Sequence, residues 1–201
     1  MKKIVIASNN PGKLRELQAL LKPMGIEAIA QAEFKIVEVE EPHDTFLENA
    51  LAKARHASRA TGLPALADDS GLCVTALGGA PGVHSAYFAG RQGSRAERDA
   101  RNNAKLVEEL RKSDDRGAFY YCVLVLMRSG TDPTPVVADG RWRGAMVLKP
   151  RGTGGFGYDP HFVPRGGSLT AAELAAEEKN RVSHRGLALM ALARRLAADA
   201  T

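Results

Sequence analysis

Two adjacent aspartates lie between two short apolar runs, and this arrangement constrains the centre of the chain more than any other feature. Asp68 and Asp69 follow the apolar run at 63–67, and Ser70-Gly71 separates them from a second run at 72–74. The pattern predicts a strand that ends in a tight turn, with the carboxylates at its carboxyl end. Because side chains alternate between the faces of a strand, the two carboxylates are expected on opposite sides.

Two explanations account for this acidic pair. A carboxylate that faces a cleft can hold a divalent metal ion or accept a proton from water. Asp, Ser and Gly are also ordinary turn formers, and a turn needs no further function. These residues alone therefore leave both a site and a structural turn open.

The composition of the whole chain limits the class of protein. Its 201 residues favour one domain, with room for two lobes. The formal net charge of +5 favours anionic partners such as nucleotides, whereas an aromatic content of 5% leaves few rings for stacking on nucleic acid. Composition alone therefore leaves nucleic acid and small polyanions such as nucleotides open as partners, and our expectation is a nucleotide and no nucleic acid.

The sequence predicts a cytoplasmic protein that does not enter a membrane. Only four apolar residues, Ile4 to Ala7, follow Lys2-Lys3, and this stretch is too short for a signal peptide. No apolar run is long enough to span a bilayer. The two cysteines, Cys73 and Cys122, lie within apolar runs, as is typical of buried thiols in a reducing compartment.

A strand, a polar loop and a helix are predicted in that order at the start of the chain. Ile4–Ala7 is short and apolar, and leucines recur at helical spacing over 14–21. Asn10 suits the N-cap and Pro11 the first helical position, so the free N–H groups of this helix end favour an anion. Lys13 adds a mobile positive charge there. The segment lacks the pattern of a P-loop, and an ordinary well-capped helix is the alternative.

An acidic cluster follows two short segments, 26–30 and 34–39, that are predicted as strands or extended chain. Glu38, Glu40 and Glu41 form this cluster ahead of a proline. Solvated surface charge explains such a cluster, and a metal-bound phosphate site would give one of these acids a role.

A capping box predicts the next helix. Thr45 and Glu48 have the required spacing, and the helix is expected over about 45–60. Asn49 and Lys53 are four residues apart and therefore share one face of this helix, where a surface pair is expected.

The second half of the chain is predicted to contain both helices and strands. A hairpin-like pair is expected around Asp139-Gly140, since this dipeptide is a strong turn signal. Capping boxes at Ser94/Glu97 and Thr170/Glu173 predict two helix starts. The expected elements are a helix over 94–112, strands over 118–127, 134–138 and 142–148, and helices over 170–178 and 187–197.

A glycine-rich stretch at 150–160 is the second unusual segment. Glycine occupies four of the six positions over 152–157, which lets the backbone approach a ligand closely. Phe156 and Tyr158 are candidates for stacking on a base, and Asp159 is a candidate acceptor for a ring N–H or a ribose hydroxyl. A glycine-rich hairpin without a ligand explains the same pattern.

Donor side chains collect just before the last predicted helix. Lys179, Ser183, His184 and Arg185 are all found there. A basic cluster beside a helix N-terminus suits an anion or a carbonyl oxygen. A histidine near a helix start also commonly has a purely structural role.

Five of these segments occur in an order that closely resembles the inosine/xanthosine triphosphate pyrophosphatase family. The resemblance covers about residues 3–196, and the five segments in order are highly specific although each alone is weak. The matching segments are Ser8-Asn9-Asn10-Pro11-Gly12-Lys13, Thr45-Phe46-x-Glu48-Asn49-Ala50, Ala67-Asp68-Asp69-Ser70-Gly71, Gly154-Gly155-Phe156-Gly157-Tyr158-Asp159-Pro160 and Lys179-Asn180-x-x-Ser183-His184-Arg185.

The resemblance implies a fold and an activity. Members of that family have a two-lobed α/β fold, with a long mixed twisted sheet flanked by helices and an active-site cleft between the lobes. They are usually homodimers and need Mg²⁺. They hydrolyse non-standard purine nucleoside triphosphates (ITP, dITP and XTP) to the monophosphate and pyrophosphate, which removes deaminated purines from the nucleotide pool. The chain is accordingly expected to be a single pyrophosphatase domain.

The resemblance also implies roles for individual residues. Asp69 is implied as a metal ligand and the proton acceptor, Glu41 as a metal ligand, and Asp68 as their support. The residues implied to contact the triphosphate are Ser8, Asn9, Asn10, Pro11, Gly12, Lys13, Lys53 and Ser70. Those implied to surround the nucleoside are Phe156, Gly157, Tyr158, Asp159, Lys179, His184 and Arg185.

One pair of residues departs from the family pattern. After Ser85-Ala86 the family usually has Arg-Tyr, whereas this chain has Tyr87-Phe88. A positive charge and a hydroxyl are therefore missing at these positions. The main motifs are intact, and the change bears on local substrate or dimer contacts.

Two other functions fit part of the sequence. A pyrophosphatase for other modified bases, such as methylated pyrimidines, would share the phosphate end and differ in the base pocket. A nucleotide- or nucleic-acid-binding module without turnover suits the basic charge. However, Glu41, Asp68 and Asp69 would repel a phosphate unless a metal ion intervened. Direct attack by an activated water is the simplest chemistry, because the sequence contains no Ser-His-Asp order and no His/Cys cluster.

Overall fold

A mixed sheet of six strands organises the protein. The computed structural model describes residues 2–37 and 39–198; Glu38 of the predicted acidic cluster lies outside them. The strand order is β2-β1-β3-β4-β5-β6, with β1 parallel to β2 and β3, and with β5 antiparallel to β6. The strands are β1 (Lys3–Ile6), β2 (Glu27–Ala30), β3 (Ala65–Val74), β4 (Gly117–Met127), β5 (Val136–Met146) and β6 (Phe162–Pro164).

Helices accompany this sheet, which confirms the predicted α/β class. Within the described residues they are α1 (Pro11–Leu21), α2 (Phe46–Thr61), α3 (Arg95–Leu110), α4 (Ala176–Val182) and α5 (His184–Ala198). None of the helices in this part of the chain is both long and apolar enough to cross a membrane.

The predicted helix caps are present. The side-chain oxygen of Asn10 accepts hydrogen bonds from the backbone N–H groups of Gly12 and Lys13 at 2.9 and 3.2 Å. The hydroxyl of Thr45 accepts from the N–H of Glu48 at 3.2 Å. Each cap satisfies donors that a helix start leaves unpaired, which explains why α1 and α2 begin where they do.

The described residues form two compact units. The first comprises the described residues up to 69, together with 122–140 and 184–198, and the second comprises 70–121 and 141–183. Each unit has its own apolar core. The core of the first unit includes Ile6, Leu17, Leu66, Leu124 and Leu189.

Aromatic rings fill the core of the second unit. The Phe162 ring lies edge-on to Tyr120, with centroids 4.9 Å apart, and is tilted against Trp142 at 5.1 Å. Leu72 and Leu106 are fully buried in the same core. Rings of this size dominate the apolar area that a core removes from water.

The predicted turn after the aspartates is wrong, because β3 runs through it. Ser70-Gly71 continues the strand, and both aspartates lie within β3 rather than at its end. β3 pairs with β1 at Ala65 and Leu66 and has β4 as its other hydrogen-bonded neighbour in the sheet. Sheet pairing therefore overrides the turn preference of Ser and Gly.

The predicted hairpin around Asp139-Gly140 is also wrong, because β5 is one continuous strand. Gly140 does not form a turn; its lack of a side chain serves the packing of helix α5 on β5. A Cβ atom on it would lie 2.2 Å from the carbonyl oxygen of His184 and 2.5 Å from the backbone nitrogen of Ala188. The absence of a side chain at Gly140 thus lets helix α5 approach the strand closely.

Three further boundaries differ from the sequence prediction. Part of the predicted strand at 34–39 belongs to a 3₁₀-helix, Gln31–Phe34, and the left-handed Lys35 (φ 55°) follows it. The predicted helix start at Thr170 is a turn closed by Glu173, and α4 begins only at Ala176. The last helix begins three residues earlier than the predicted position 187.

Candidate active site

The loop between β1 and α1 is held in place by its own side chains. The hydroxyl of Ser8 accepts a hydrogen bond from the backbone N–H of Asn10 at 3.2 Å. The side-chain oxygen of Asn9 accepts one from the buried Gln31 at 3.1 Å. Pro11 begins the helix, so the backbone N–H groups of the first helical turn lie directly behind this loop.

Lys13, predicted to add a positive charge at this loop, is ion-paired in the structure. Its ammonium lies 3.1 Å from Oδ1 of Asp68, and its side chain is mostly buried. The pair links the loop of the first helix to strand β3. A substrate anion at this loop would therefore meet a cation whose position is already set.

Asp68 is the centre of a buried ionic network. Its side chain is completely inaccessible to solvent. Oδ2 accepts hydrogen bonds from Nε and Nη2 of Arg185 at 3.1 and 2.8 Å, and the thiol of Cys122 lies 3.9 Å from the same oxygen. Arg185 also pairs with Glu16. These contacts tie α1, β3, β4 and α5 together within the first unit.

The charge state of Asp68 follows from these partners. Burial alone would raise the pKa of its carboxyl, but Lys13 and Arg185 outweigh burial and hold the pKa well below its usual range. Asp68 is accordingly a carboxylate at any ordinary pH. It serves as a fixed anion that holds two cations.

Asp69 has a separate set of partners, as the alternation of side chains along a strand predicts. Its Oδ1 lies 3.2 Å from the ammonium of Lys53, and its Oδ2 accepts a hydrogen bond from Asn49 at 3.4 Å. The Lys53 ammonium also lies 2.7 Å from Glu41. The expectation that Asn49 and Lys53 form a surface pair is wrong, since their exposed fractions are 2% and 6%.

Asn49 also positions the segment that carries Glu41. Its side-chain oxygen accepts a hydrogen bond from the backbone N–H of His43 at 3.1 Å, and its amide nitrogen donates one to the carbonyl of His43 at 3.0 Å. Helix α2 thus holds both Glu41 and Asp69 through the neighbouring side chains of Asn49 and Lys53. The burial of this helix face explains how these groups keep their places.

The environment of Asp69 shifts its pKa in the opposite direction to that of Asp68. Burial raises the pKa of Asp69, and the positive charge of Lys53 offsets only part of this effect. Lys53 itself stays charged, because Asp69 and Glu41 raise its pKa in spite of its burial. Two carboxyl groups whose pKa values are pushed apart are suited to different chemical roles.

A metal ion fits the chemistry of Glu41 and Asp69. Both carboxylates reach one common cation, the Lys53 ammonium, so their oxygens face the same point. Mg²⁺ prefers oxygen ligands and usually retains several waters, so two carboxylates suffice. In the part of the chain that the structure describes, no group of three or more His, Cys, Asp or Glu side chains forms a metal cage.

In the second unit, Asp159 and Lys179 frame the aromatic ring of Phe156. Oδ2 of Asp159 accepts hydrogen bonds from the Lys179 ammonium at 2.7 Å and from the backbone N–H of Phe156 at 2.8 Å. The Phe156 ring has the Arg95 guanidinium 4.9 Å and the Lys179 ammonium 5.0 Å from its centroid. A Cβ atom on Gly155 would lie 2.1 Å from Asp159, so glycine is required there.

Tyr158 does not present a stacking face in this structure, contrary to its prediction as a base-stacking residue. Its exposed fraction is 4%, it packs in the core of the second unit, and its hydroxyl donates to the carbonyl of Ser85 at 2.8 Å. Gly157, beside it, accepts a hydrogen bond from Asn103 and donates one to Asp99. The glycine-rich stretch is therefore an ordered loop.

The basic residues near the last helix belong to different units. Lys179 and Ser183 lie in the second unit, whereas the buried His184 and Arg185 begin α5 in the first. Lys179 pairs with Asp159, and Arg185 pairs with Asp68. Ser70 directly follows Asp69 in β3.

Sequence reasoning did not find two residues of these networks. Glu16 lies one helical turn after Lys13 and pairs with Arg185, and Arg95 lies over Phe156. A signal for Glu16 exists in its helical spacing from Lys13. Nothing in the sequence around Arg95 indicates that it contacts a residue about sixty positions away.

These features define an α/β protein with a buried ionic site beside a capped helix start. The chain belongs to the Ham1 family, whose model matches residues 4–195. The resemblance found in the sequence is thereby confirmed.

Relatives match nearly the whole chain. A protein named dITP/XTP pyrophosphatase from Nitrosomonas europaea is 60% identical over 201 residues, covering 100% of this chain and 97% of the relative. One of the same name from Burkholderia pseudomallei is 62% identical over 194 residues, covering 96% and 93%. The structure of a HAM1 protein from Coxiella burnetii is 47% identical with a TM-score of 0.88, covering 98% of this chain and 99% of that one.

Proposed function

We propose that this protein hydrolyses non-standard purine nucleoside triphosphates (ITP, dITP and XTP) to the monophosphate and pyrophosphate. Two close relatives are named dITP/XTP pyrophosphatases. The observation that carries the proposal is the pair of adjacent buried carboxylates, Asp68 and Asp69, each with its own cation partner. Such a pair supplies one fixed anion and one proton acceptor in adjacent positions.

The loop at 8–13 would hold the triphosphate. The positive end of the α1 dipole favours a phosphate, and Lys13 adds a charge that Asp68 keeps in position. The family resemblance implies cleavage of the bond between the α- and β-phosphates, and a loop that holds the whole phosphate chain suits this reaction. The proposed leaving group is therefore pyrophosphate.

Glu41 and Asp69 would bind Mg²⁺. When bound, the metal ion would offset the negative charge of the phosphates and polarise their oxygens. Asp69 would take a proton from the attacking water, as the family resemblance implies. Lys53 and Ser70 would contact phosphate oxygens, and Asp68 would hold Lys13 and Arg185.

The base would be recognised by polar groups. Phe156, Asp159, Lys179 and His184 are the proposed contacts, and a 6-oxo group on the purine would accept from a donor among them. Adenine carries a 6-amino group at this position. In its complex, that donor would face the protein donor, and neither group would have an acceptor. Unpaired polar groups of this kind discriminate by roughly 10⁴-fold. Because Arg185 is 1% exposed and paired with Asp68, we propose that it acts by positioning that carboxylate.

A homodimer and a cytoplasmic location are further parts of the proposal. Both follow from the family resemblance, and the two cysteines, Cys73 and Cys122, are free and buried, as a reducing compartment allows. Sedimentation equilibrium of the purified protein tests the dimer.

A turnover assay tests the function directly. The protein is incubated with Mg²⁺ and a panel of ITP, dITP, XTP, ATP, GTP and methylated pyrimidine triphosphates, and products are identified by phosphorus NMR. The expected result is pyrophosphate and monophosphate from ITP, dITP and XTP, with far slower turnover of ATP. Equal rates on ATP and ITP, or orthophosphate as the first product, would overturn the proposal.

A further inference from the structure

Lys53 lies between the two carboxylates to which the metal ion is assigned. Its ammonium is 2.7 Å from Glu41 and 3.2 Å from Asp69. Within residues 2–37 and 39–198, these are its ion-pair partners at 4.0 Å or less. A monovalent cation therefore already occupies the point that both carboxylates face.

The ammonium and Asp69 are both deeply buried. Lys53 and Asp69 are 6% and 4% exposed. A buried carboxylate without a cation carries a large desolvation penalty, so Lys53 stabilises Asp69 in the protein as described. A second cation at the same oxygens would meet the full repulsion of this ammonium at close range.

We propose that Lys53 is a resident counter-cation of the metal site, which holds Glu41 and Asp69 together and leaves their oxygens when Mg²⁺ binds. The inference rests on the proposed function of this site. Ala50, Ala54 and Ala57 are fully buried and anchor helix α2, so the proposed exchange moves the lysine side chain and not the helix. Only the flexible end of the lysine side chain needs to turn.

The exchange would couple metal binding to phosphate binding. Once it has left Asp69, the Lys53 ammonium is a free charge on a fixed helix, within side-chain reach of the same site. It is then available to a phosphate oxygen. Lys53 thus stays bound to carboxylates until the metal ion that accompanies the substrate is in place.

Metal affinity without nucleotide tests the exchange. Isothermal titration with Mg²⁺ or Mn²⁺ alone is compared between the wild-type protein and Lys53→Met. Because the variant removes the competing charge, its affinity is expected to rise at least about tenfold. An unchanged or weaker affinity in Lys53→Met would overturn the inference.

Two variants control for charge alone. Lys13→Met removes a cation that pairs with Asp68 rather than with the metal ligands, so its gain is expected to be smaller. Lys3→Met removes an exposed cation paired with Glu27 and is expected to leave metal affinity unchanged. A gain in Lys13→Met equal to that in Lys53→Met would show a general field effect and would also overturn the inference.

A second measurement applies if Lys53→Met does not fold. The wild-type protein is labelled with ¹³C at the lysine ε-carbons, and the Lys53 signal is assigned with Lys53→Arg. Titration with Mg²⁺ is expected to shift this signal with the binding isotherm while Lys3 stays constant. The exchange is rejected if the Lys53 signal does not change at saturating Mg²⁺. It is also rejected if the protein binds neither Mg²⁺ nor Mn²⁺ in the absence of nucleotide.

Failure of this inference is separable from failure of the proposed function. The metal titrations contain no nucleotide, whereas the function is decided by pyrophosphate release from ITP. If the wild-type protein hydrolyses ITP but Lys53→Met has an unaltered metal affinity, the exchange is rejected and the proposed activity stands. If Lys53→Met binds the metal ion more tightly but the wild-type protein hydrolyses none of the triphosphates, the exchange stands and the proposed activity is rejected.

Discussion

Adjacent residues of this protein have opposite electrostatic environments. Asp68 and Asp69 project to different faces of β3, and each meets different cations. Lys13 and Arg185 hold the pKa of Asp68 low against its burial, whereas burial prevails at Asp69 and raises its pKa. The two carboxylates are therefore expected to respond differently to the same substitution.

Asp69→Asn is expected to abolish most turnover while the fold survives. The amide can neither accept the proton from water nor bind a metal ion as a carboxylate does. The loss should amount to several kcal/mol of transition-state stabilisation, on the order of 10²-fold or more in kcat. Steady-state kinetics on ITP, with far-ultraviolet circular dichroism as the control for folding, check this. Wild-type activity in the variant would contradict the assigned role.

Asp68→Asn is expected to act on stability instead. The change removes one of the carboxylates that pair with the buried guanidinium of Arg185, and breaking one partner of a buried pair costs about 3–5 kcal/mol. Urea unfolding of both proteins measures this difference. Glu27→Gln is the matched control, because its exposed pair with Lys3 contributes at most about 1 kcal/mol. Equal losses in the two variants would show that the network around Asp68 is not stabilising.

At the scale of elements, close packing of α5 on β5 depends on one glycine. Gly140 faces backbone atoms of His184 and Ala188. Backbone atoms cannot move aside as the end of a flexible side chain can. The start of α5, which carries Arg185, is therefore set by this contact.

Gly140→Ala is expected to destabilise the protein by about 3 kcal/mol, at the upper end of overpacking effects. Its added methyl would lie 2.2 Å from a carbonyl oxygen. Gly167→Ala is the control, since its nearest neighbour would be 3.4 Å away, and a change within about 0.5 kcal/mol is expected. Thermal and urea unfolding compare the two. A mild effect of Gly140→Ala would mean that α5 can shift freely on the strand.

The connection between β4 and β5 is closed by one aspartate. Asp132 accepts hydrogen bonds from the backbone N–H of Arg128 at 2.9 Å and from that of Thr134 at 2.9 Å. The Arg128 hydrogen bond is the main reason that the pKa of Asp132 is lower than usual. The loop is therefore stabilised by the charged form of this side chain.

Asp132→Asn should accordingly cost about 1 kcal/mol near neutral pH, because its single side-chain oxygen cannot replace both contacts. Since the folded-state pKa is depressed, this contribution is present above the unfolded pKa of about 3.9 and is lost as pH falls through the folded value. Urea unfolding of both proteins at several pH values tests this. The difference between them should shrink below about pH 4; a constant difference would exclude the carboxylate charge as its cause.

At the scale of the whole molecule, net charge affects encounter with the substrate. The chain carries a formal charge of +5, and nucleoside triphosphates are anionic. Long-range attraction between them is screened within about 10 Å at 0.1 M salt and about 3 Å at 1 M. Association is therefore expected to depend on ionic strength.

The kcat/KM value for ITP is expected to fall several-fold as salt rises from about 0.1 to 1 M at fixed Mg²⁺, with a smaller change in kcat. Kinetics in NaCl and in KCl separate screening from a specific ion effect. A kcat/KM value independent of both salts would show that the charge of the protein does not steer the substrate.

Much of the fold was predictable from short-range signals. Asn10, Thr45 and Ser94 start the helices predicted for them, because a cap depends on residues only two or three positions away. The apolar run at 118–127 forms the interior strand β4 as predicted. Asp139-Gly140 and Ser70-Gly71 misled the prediction, because their local turn preference yields to pairing with strands distant in sequence.

The candidate site shows the same division. Motifs in order were sufficient to predict the family, and the alternation of side chains in a strand correctly separated Asp68 from Asp69. The partners of those aspartates were not predictable, since Lys13, Lys53 and Arg185 come from three different helices. Local spacing says which face a residue occupies and nothing about what packs against that face.

The sequence by itself therefore determined the helix caps, the main apolar strands, the family and the residue types of the site. Only the tertiary structure decided that Lys53 is buried between Glu41 and Asp69, that Arg185 holds Asp68, and that β3 and β5 run unbroken. The physical reason is the distance along the sequence over which each interaction acts. Caps and helical spacing act over a few residues, whereas desolvation and ion pairing depend on groups that the folded chain brings together from distant positions.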